Sequence, residues 1–357
     1  MCNKYLDFLY IFDKIKAENV MKKDWINGKR VLITGATSGL GRELTKKLIA
    51  QNNCYVIGVG RDKHKFDSLL SEVDRQKLEC HIMDVAHEDD WVALANKLKS
   101  SGLDVIINCA GILPPFESFE NIQRDFVQDY LNNCNHLSKN NSKKLVVSKD
   151  VKTDKLQQTI NTSQKYCINN LTDKHEIISK LFDSPNIPNL NVKSSLEGVM
   201  DTNFMSCVYS AFYLLPIIEK SDTRGVINIS SSAGLCPLPG ISIYSASKAA
   251  VKNFTECLAL EKGYYVGLIC PGFTLTDIFR YQRTQVCGKL ISMFATKKDK
   301  MANKIYKAII RKKKRCVFGM DAKWMNRLYS RFPKFAPKLF GKILKKSKLK
   351  LFEDIFN

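Results

Sequence analysis

RVLITGATSGLGRELTKKLIA, residues 30–50, is the stretch from which the fold is read. An apolar, β-branched run, Val31 to Ile33, enters a turn bearing Gly35, Gly39 and Gly41, and helical spacing follows from Leu40 to Ala50. Glycines let the backbone turn sharply and approach a diphosphate, while the free N–H groups opening a helix favour an anion. A glycine-rich turn alone is a weak signal. Here the strand before it and the helix after it supply the context that the motif requires.

Outward from this unit the rhythm repeats. CYVIGVG (54–60), LECHIMDV (78–85), DVIINCAG (104–111), GVINISS (225–231) and YYVGLICPG (264–272) read as strands, and Asp89 to Lys99 as a helix. Continuous apolar strands separated by helices predict an α/β fold, a doubly wound parallel sheet of Rossmann type covered on both faces. The strand pattern ends at Pro271. Two helical segments follow, Lys297 to Lys313 and Ala322 to Lys346, the second kinked or divided by Pro333 and Pro337. The organisation is an N-terminal extension over 1–28, a Rossmann domain over 29–280 and a basic helical extension over 281–357. An insertion at about 121–194 interrupts the domain: residues 130–196 hold 11 Asn and 10 Lys, a composition that reads as surface filler, with a lid or a partner-binding loop as alternatives and a short helix allowed at Thr153 to Gln164.

Composition narrows the class further. With 45% apolar, 25% charged and 10% aromatic residues the chain is globular. The net charge of +21 suggests nucleic acid until it is mapped. Residues 280–357 hold 23 Lys and Arg against 4 Asp and Glu, so the body of the chain is nearly neutral. The run Arg311 to Arg315 reads as a solvated helix end, and no stacking platform supports an RNA or DNA partner. Twelve cysteines stand singly without a CxxC pair, the usage of a reducing compartment. No apolar run is long enough to span a bilayer, and the N-terminus lacks a secretory pattern, so a cytoplasmic location is expected. Cys134, His136, Cys167 and His175 match no compact zinc spacing, and no metal is expected.

Tyr244-Ser245-Ala246-Ser247-Lys248 puts a lysine one helical turn after a tyrosine, on the same face. An ammonium beside a phenol favours the phenolate and brings a group of pKa about 10 towards neutral-pH acid–base work. Ser231, thirteen residues upstream at a strand end, offers a hydroxyl to a substrate oxygen, with Ser230 and Ser232 as neighbouring alternatives.

TGATSGLG (34–41), Asn108-Cys109-Ala110-Gly111, Asn203, Ser231, Tyr244xxxLys248 and Pro271-Gly272 followed by Thr276 stand in the order found in the short-chain dehydrogenase/reductase superfamily, which the chain resembles over 30–116 and 195–280. The resemblance implies an oxidoreductase that interconverts a ketone or aldehyde and an alcohol. It makes Tyr244 the proton donor or acceptor and Lys248 its pKa depressant and a ligand of the nicotinamide ribose. Ser231 would bind the substrate carbonyl, and Asn203 would anchor a proton-relaying water. Cofactor contacts would come from Gly35, Thr37, Ser38, Gly39, Leu40, Gly41, Asp84, Val85, Asn108, Ala110, Gly111, Pro271, Gly272, Thr274 and Thr276, besides Tyr244 and Lys248.

After the second strand Arg61 stands where an NAD-preferring protein offers an acid, so NADP(H) is expected over NAD(H), a solvated surface arginine being the alternative. From Gly111 to Asn203 the interval is 92 positions, far longer than the family uses. Leu113, Phe116, Ile278 and Phe279 near the expected mouth, with the basic amphipathic tail, point to a lipophilic substrate and peripheral membrane contact. A tail packed on the enzyme's own core or on a dimer partner is the competing reading. The family implies a homodimer or homotetramer. A catalytically idle cofactor-sensing or scaffold module is the rival function.

Overall fold

In the computed structural model, which describes residues 25–119, 196–279, 295–347 and 352–356, the quoted stretch folds as strand β1 (Arg30–Thr34), a turn and helix α1 (Gly39–Asn52). Val31, Leu32 and Ile33 are fully buried because helices cover both faces of the strand. Next come β2 (Tyr55–Gly60), α2 (Lys63–Leu70), β3 (Leu78–Ile82), α3 (Glu88–Ser101) and β4 (Val105–Asn108). The chain resumes with α4 (Leu196–Met200), a π-helical turn (Asp201–Met205), α5 (Ser206–Ile218), β5 (Gly225–Ile229), α6 (Ser242–Glu261), β6 (Tyr265–Pro271) and β7 (Thr274–Leu275). Beyond it lie β8 (Thr296–Lys297), α7 (Lys298–Ile310), β9 (Arg315–Phe318), α8 (Met320–Arg331), α9 (Ala336–Lys346) and α10 (Glu353–Phe356).

Seven strands form one parallel sheet in the order β3-β2-β1-β4-β5-β6-β9, and β7 pairs with β8 apart from it. The strand order reverses between β1 and β4, which opens a crevice at their C-terminal ends, where doubly wound sheets bind ligands. One core lies between the sheet and α1, α2 and α7, around Leu44, Leu48, Phe66, Ile305 and Ile309. The other lies beneath α3, α5 and α6, around Trp91, Leu94, Leu214 and Leu258. Fully buried Trp91 keeps its indole N–H satisfied on Val85 O at 3.0 Å, so its apolar area is buried without stranding a donor.

The sequence reading ends the strand pattern at Pro271; the structure adds β9 to the sheet beyond it, within a segment that is otherwise largely helical as expected. β9 pairs in parallel with β6 through Leu268–Pro271, and α7 is the crossover that brings it there. Met301, Ala302, Ile305 and Ile309 of α7 are fully buried, and Tyr306 donates to Asn52 Oδ1 at 2.7 Å. Four residues, RCVF, behind the charge run 311–315 are too short a signal to be read as a strand.

Pro333 divides the amphipathic tail into α8 and α9, and Pro337 sits in the first turn of α9, where its missing N–H costs nothing. The apolar stripe is divided too. Met325, Ala336 and Phe340, with Phe352 and Ile355, are buried in a cluster that includes Leu113, Phe116 and Tyr244, whereas Trp324, Phe332, Phe335 and Ile343 stay 44–56% exposed. Among the described residues no helix is long and apolar enough to cross a membrane. The N-terminal extension up to residue 24, the insertion at about 121–194 with its Thr153 to Gln164 helix, and Cys134, His136, Cys167 and His175 lie outside the described residues.

Candidate active site

The crevice at the switch point is a cleft of about 830 Å³. Its floor is the turn after β1. Gly35 adopts φ +69°, and a Cβ there would lie 3.0 Å from Ala110 Cα; a Cβ on Gly41 would collide with the carbonyl oxygen of Gly35. Backbone therefore packs directly on backbone, leaving the first amides of α1 free of side-chain cover, a cradle that suits a diphosphate. Thr34 Oγ1 accepts from Cys109 N at 2.9 Å and Ala110 N at 3.0 Å, which ties the ends of β1 and β4 together below the cleft.

Gly35, Thr37, Ser38, Gly39, Leu40 and Gly41 line this end of the cleft together with Arg61, Asp84 and Val85. Arg61 Nη1 meets Asp84 Oδ2 at 3.2 Å, an exposed pair that holds the guanidinium at the rim. Lys63, His64 and Lys65 also line it, so the rim is more basic than Arg61 alone suggests. They open α2, and no motif in the sequence marks them.

Farther along the cleft lie Gly111, Ser231, Tyr244, Lys248, Pro271, Gly272 and Thr274, while Ala110 packs beside Gly35 and Thr276 beside Gly39. Tyr244 and Lys248 stand one turn apart near the start of α6, both buried. Burial pushes the Tyr244 phenol above its ordinary value, and a hydrogen bond with Ser231 pulls it back. Lys248 is pushed down by burial, donates from Nζ to Ile229 O at 3.2 Å and sits 6.0 Å from the Tyr244 ring centre. The net shift of the phenol is thus upward, opposite to the lowering expected from the ammonium. Desolvation acts on both groups, disfavouring the phenolate and the ammonium alike.

Ser231 also accepts from Ala233 N at 3.2 Å and opens the short turn that follows β5. Ser230, its neighbour, is committed to Lys248 O at 2.7 Å and braces α6. Two of the named residues stand behind the wall of the cleft. Asn203 is fully buried on the π-helical turn, where Oδ1 accepts from Ile112 N at 2.8 Å and Nδ2 donates to Ile112 O and Ser247 Oγ, each at 3.0 Å. Asn108 donates from Nδ2 to Ser210 Oγ at 2.7 Å and to Asn228 Oδ1 at 2.8 Å, clasping β4 to α5 and β5.

The outer wall beside Tyr244 is apolar: Leu113, Phe116, Ile278 and Phe279 line the cleft, as do Leu238 and Ile241. The last two come from the connector before α6, which carries no periodicity to reveal them.

A family model described as short chain dehydrogenase matches residues 29–167 and 183–286. Benzil reductase ((S)-benzoin forming) of Saccharomyces cerevisiae is 26% identical over 239 residues, 66% of this chain and 66% of that one. The very-long-chain 3-oxoacyl-CoA reductase of Homo sapiens is 23% identical over 262 residues, covering 72% of this chain and 62% of its own. The chain thus spans somewhat under two thirds of the length of these relatives. A solved short-chain dehydrogenase from Sphingobium yanoikuyae, in complex with NADPH, superposes with a TM-score of 0.57 at 20% identity, over 86% of this chain and 95% of that one. At that identity the likeness concerns the fold.

Proposed function

Because the chain belongs to the short-chain dehydrogenase family, we propose that it is an NADP(H)-dependent oxidoreductase interconverting a ketone or aldehyde and an alcohol. The observation that carries this is the hydrogen-bonded Ser231–Tyr244 pair, with Lys248 one turn away, on the wall of a cleft floored by a glycine cradle. NADPH supplies a hydride when bound. The cradle at Gly35 to Gly41 holds its diphosphate, Arg61 its 2′-phosphate, and Asp84 and Val85 its adenine. Ala110 and Gly111 support the adenosine side, with Asn108 bracing the sheet behind them. The loop from Pro271 to Thr276 flanks the nicotinamide end.

In reduction the carbonyl oxygen gains negative charge and must gain a proton. Ser231 donates a hydrogen bond to that oxygen. Tyr244 then passes its phenolic proton to it. Lys248, one turn away, stabilises the phenolate left behind. Asn203 keeps the Ile112 segment and the face of α6 around Ser247 in place, next to the path by which Lys248 returns a proton.

The substrate is lipophilic on this reading, since Leu113, Phe116, Leu238, Ile241, Ile278 and Phe279 offer it apolar surface. The very-long-chain 3-oxoacyl-CoA reductase among the relatives supports a lipid ketone. The exposed aromatic residues Trp324 of α8 and Phe332 and Phe335 between α8 and α9, set among lysines and arginines, support peripheral contact with a membrane surface. Incubating the protein with NADPH and a panel of small and lipophilic carbonyls, while following cofactor absorbance, tests the proposal. Consumption with a lipophilic ketone, lost in Tyr244→Phe, is expected. An inert protein across the panel, or full turnover in Tyr244→Phe, overturns it.

A further inference from the structure

The chain beyond position 280 reaches back to the cleft at one loop. Gly272 N donates to Phe318 O at 2.6 Å and continues the pairing of β6 with β9 past Pro271. Beside it Asp321, in the first turn of α8, accepts from Phe273 N at 2.7 Å through Oδ2. The carboxylate lies flat on the loop: a Cβ on Gly272 would collide with both of its oxygens, and one on Gly319 with Oδ1. Thr274 Oγ1 donates to Gly272 O at 2.9 Å, so the loop is tied at both sides of the peptide that Asp321 holds.

The placement of this acid is unusual for its surroundings. Between Lys300 and Phe352 the sequence carries no other acidic residue, although that stretch is rich in lysine and arginine. The lone carboxylate is nevertheless turned inward, and burial raises it above its ordinary value while the amides of Phe273 and Ala322 pull it back. A buried acceptor is tolerated where it satisfies a specific donor, and the donor here belongs to the loop. Pro271, Gly272, Phe273, Thr274 and Thr276 all line the cleft, and Phe273 packs against the cluster that contains Tyr244.

We propose that Asp321 is a positioning residue, whose carboxylate fixes the Gly272–Phe273 peptide so that the 271–276 loop keeps the shape that closes the cleft beside Tyr244. The inference rests on reading the cleft as the NADP(H) site. The C-terminal segment is then a working part of the cofactor site without touching the cofactor.

Two readouts test it: hydrogen exchange of the 271–276 peptide in the ligand-free protein, and NADPH affinity by fluorescence titration. Asp321→Leu removes the acceptor at similar volume, Asp321→Asn keeps it without the charge, and Leu94→Ala destabilises the far core as a control. Where the leucine variant does not fold, Asp321→Ala takes its place. In Asp321→Leu, exchange in 271–276 is expected to quicken about tenfold or more and the NADPH Kd to rise about tenfold, while Asp321→Asn stays within about threefold. Leu94→Ala should lower Tm and leave Kd unchanged. Unaltered exchange in Asp321→Leu, or an equal loss of affinity in Leu94→Ala, overturns the proposal. Wild-type protein that binds no NADPH at all overturns the cofactor reading instead, and the exchange comparison still decides whether Asp321 holds the loop.

Discussion

Burying the Lys248 ammonium carries a cost, and that cost has a measurable sign. Its unfolded value is near 10.5, and burial holds the folded value below this. Between the two values the unfolded chain binds more protons, so stability rises with pH across that window, and below it the whole penalty stands. Lys248→Met is therefore expected to raise Tm at pH 7 by about 2–4 °C while turnover falls by orders of magnitude. The gap in Tm between variant and wild type should close as pH approaches 10.5, and a melting series over pH checks it. Arg61 is judged by ligand discrimination. Arg61→Ala should weaken NADPH by about tenfold or more and NADH little, because only the former carries a 2′-phosphate. Equal losses in titrations with both cofactors would remove Arg61 from that role. The residues bearing these predictions could be named from the sequence because their chemistry travels with local spacing: the glycines in a strand–turn–helix, Tyr244 and Lys248 on one helical face. The raised phenol could not, since it depends on burial from elements far apart in the chain.

Among the elements, α9 is the most informative. Its apolar spacing was compatible with lipid or with the enzyme's own core, because a helix shows the same periodicity to either. In the fold Phe340 stacks edge-on against Trp324 at 5.5 Å and enters the cluster around Tyr244. Phe340→Ala should cost about 3–5 kcal/mol in urea unfolding, the range for a buried aromatic truncated to alanine. A loss below about 1 kcal/mol would mean that the helix is only loosely docked. The strand β9 illustrates the opposite limit. Its four residues carry too little pattern to be recognised, yet they pair along the full length of Leu268–Pro271 and complete the sheet. A helix of three turns announces itself through repetition. A short edge strand does not.

For the whole molecule, the charge is as uneven as the sequence indicates, and the fold gives the basic end a defined outer face. Trp324 on α8, Phe332 and Phe335 in the connector and Ile343 on α9 remain exposed, whereas Met325, Ala336 and Phe340 enter the cluster around Tyr244. Such a face suits an anionic bilayer, aromatic residues at headgroup depth and lysines against phosphate. Truncating the tail would confuse binding with unfolding, since α8 and α9 are part of the core. The triple change Trp324→Ser, Phe332→Ser and Phe335→Ser avoids this, as all three are about half exposed. Liposome sedimentation of wild type should need anionic lipid and weaken with salt, and the triple variant should stay in the supernatant with its Tm within a few degrees. Wild type that fails to sediment at low salt would end the membrane reading.

By itself the sequence determined the parallel α/β sheet, its glycine cradle and the Tyr244–Lys248 face, since each is written in the spacing of neighbours within one strand, turn or helix. Only the tertiary structure decided that the sheet has a seventh strand beyond position 280, that the amphipathic tail is shared between core and solvent, and that Asn108 and Asn203 stand behind the cleft. It also decided that Asp321 meets Phe273, 48 positions away. These outcomes depend on which surfaces meet once the chain has collapsed, and contacts across such separations leave no periodic mark in one sequence.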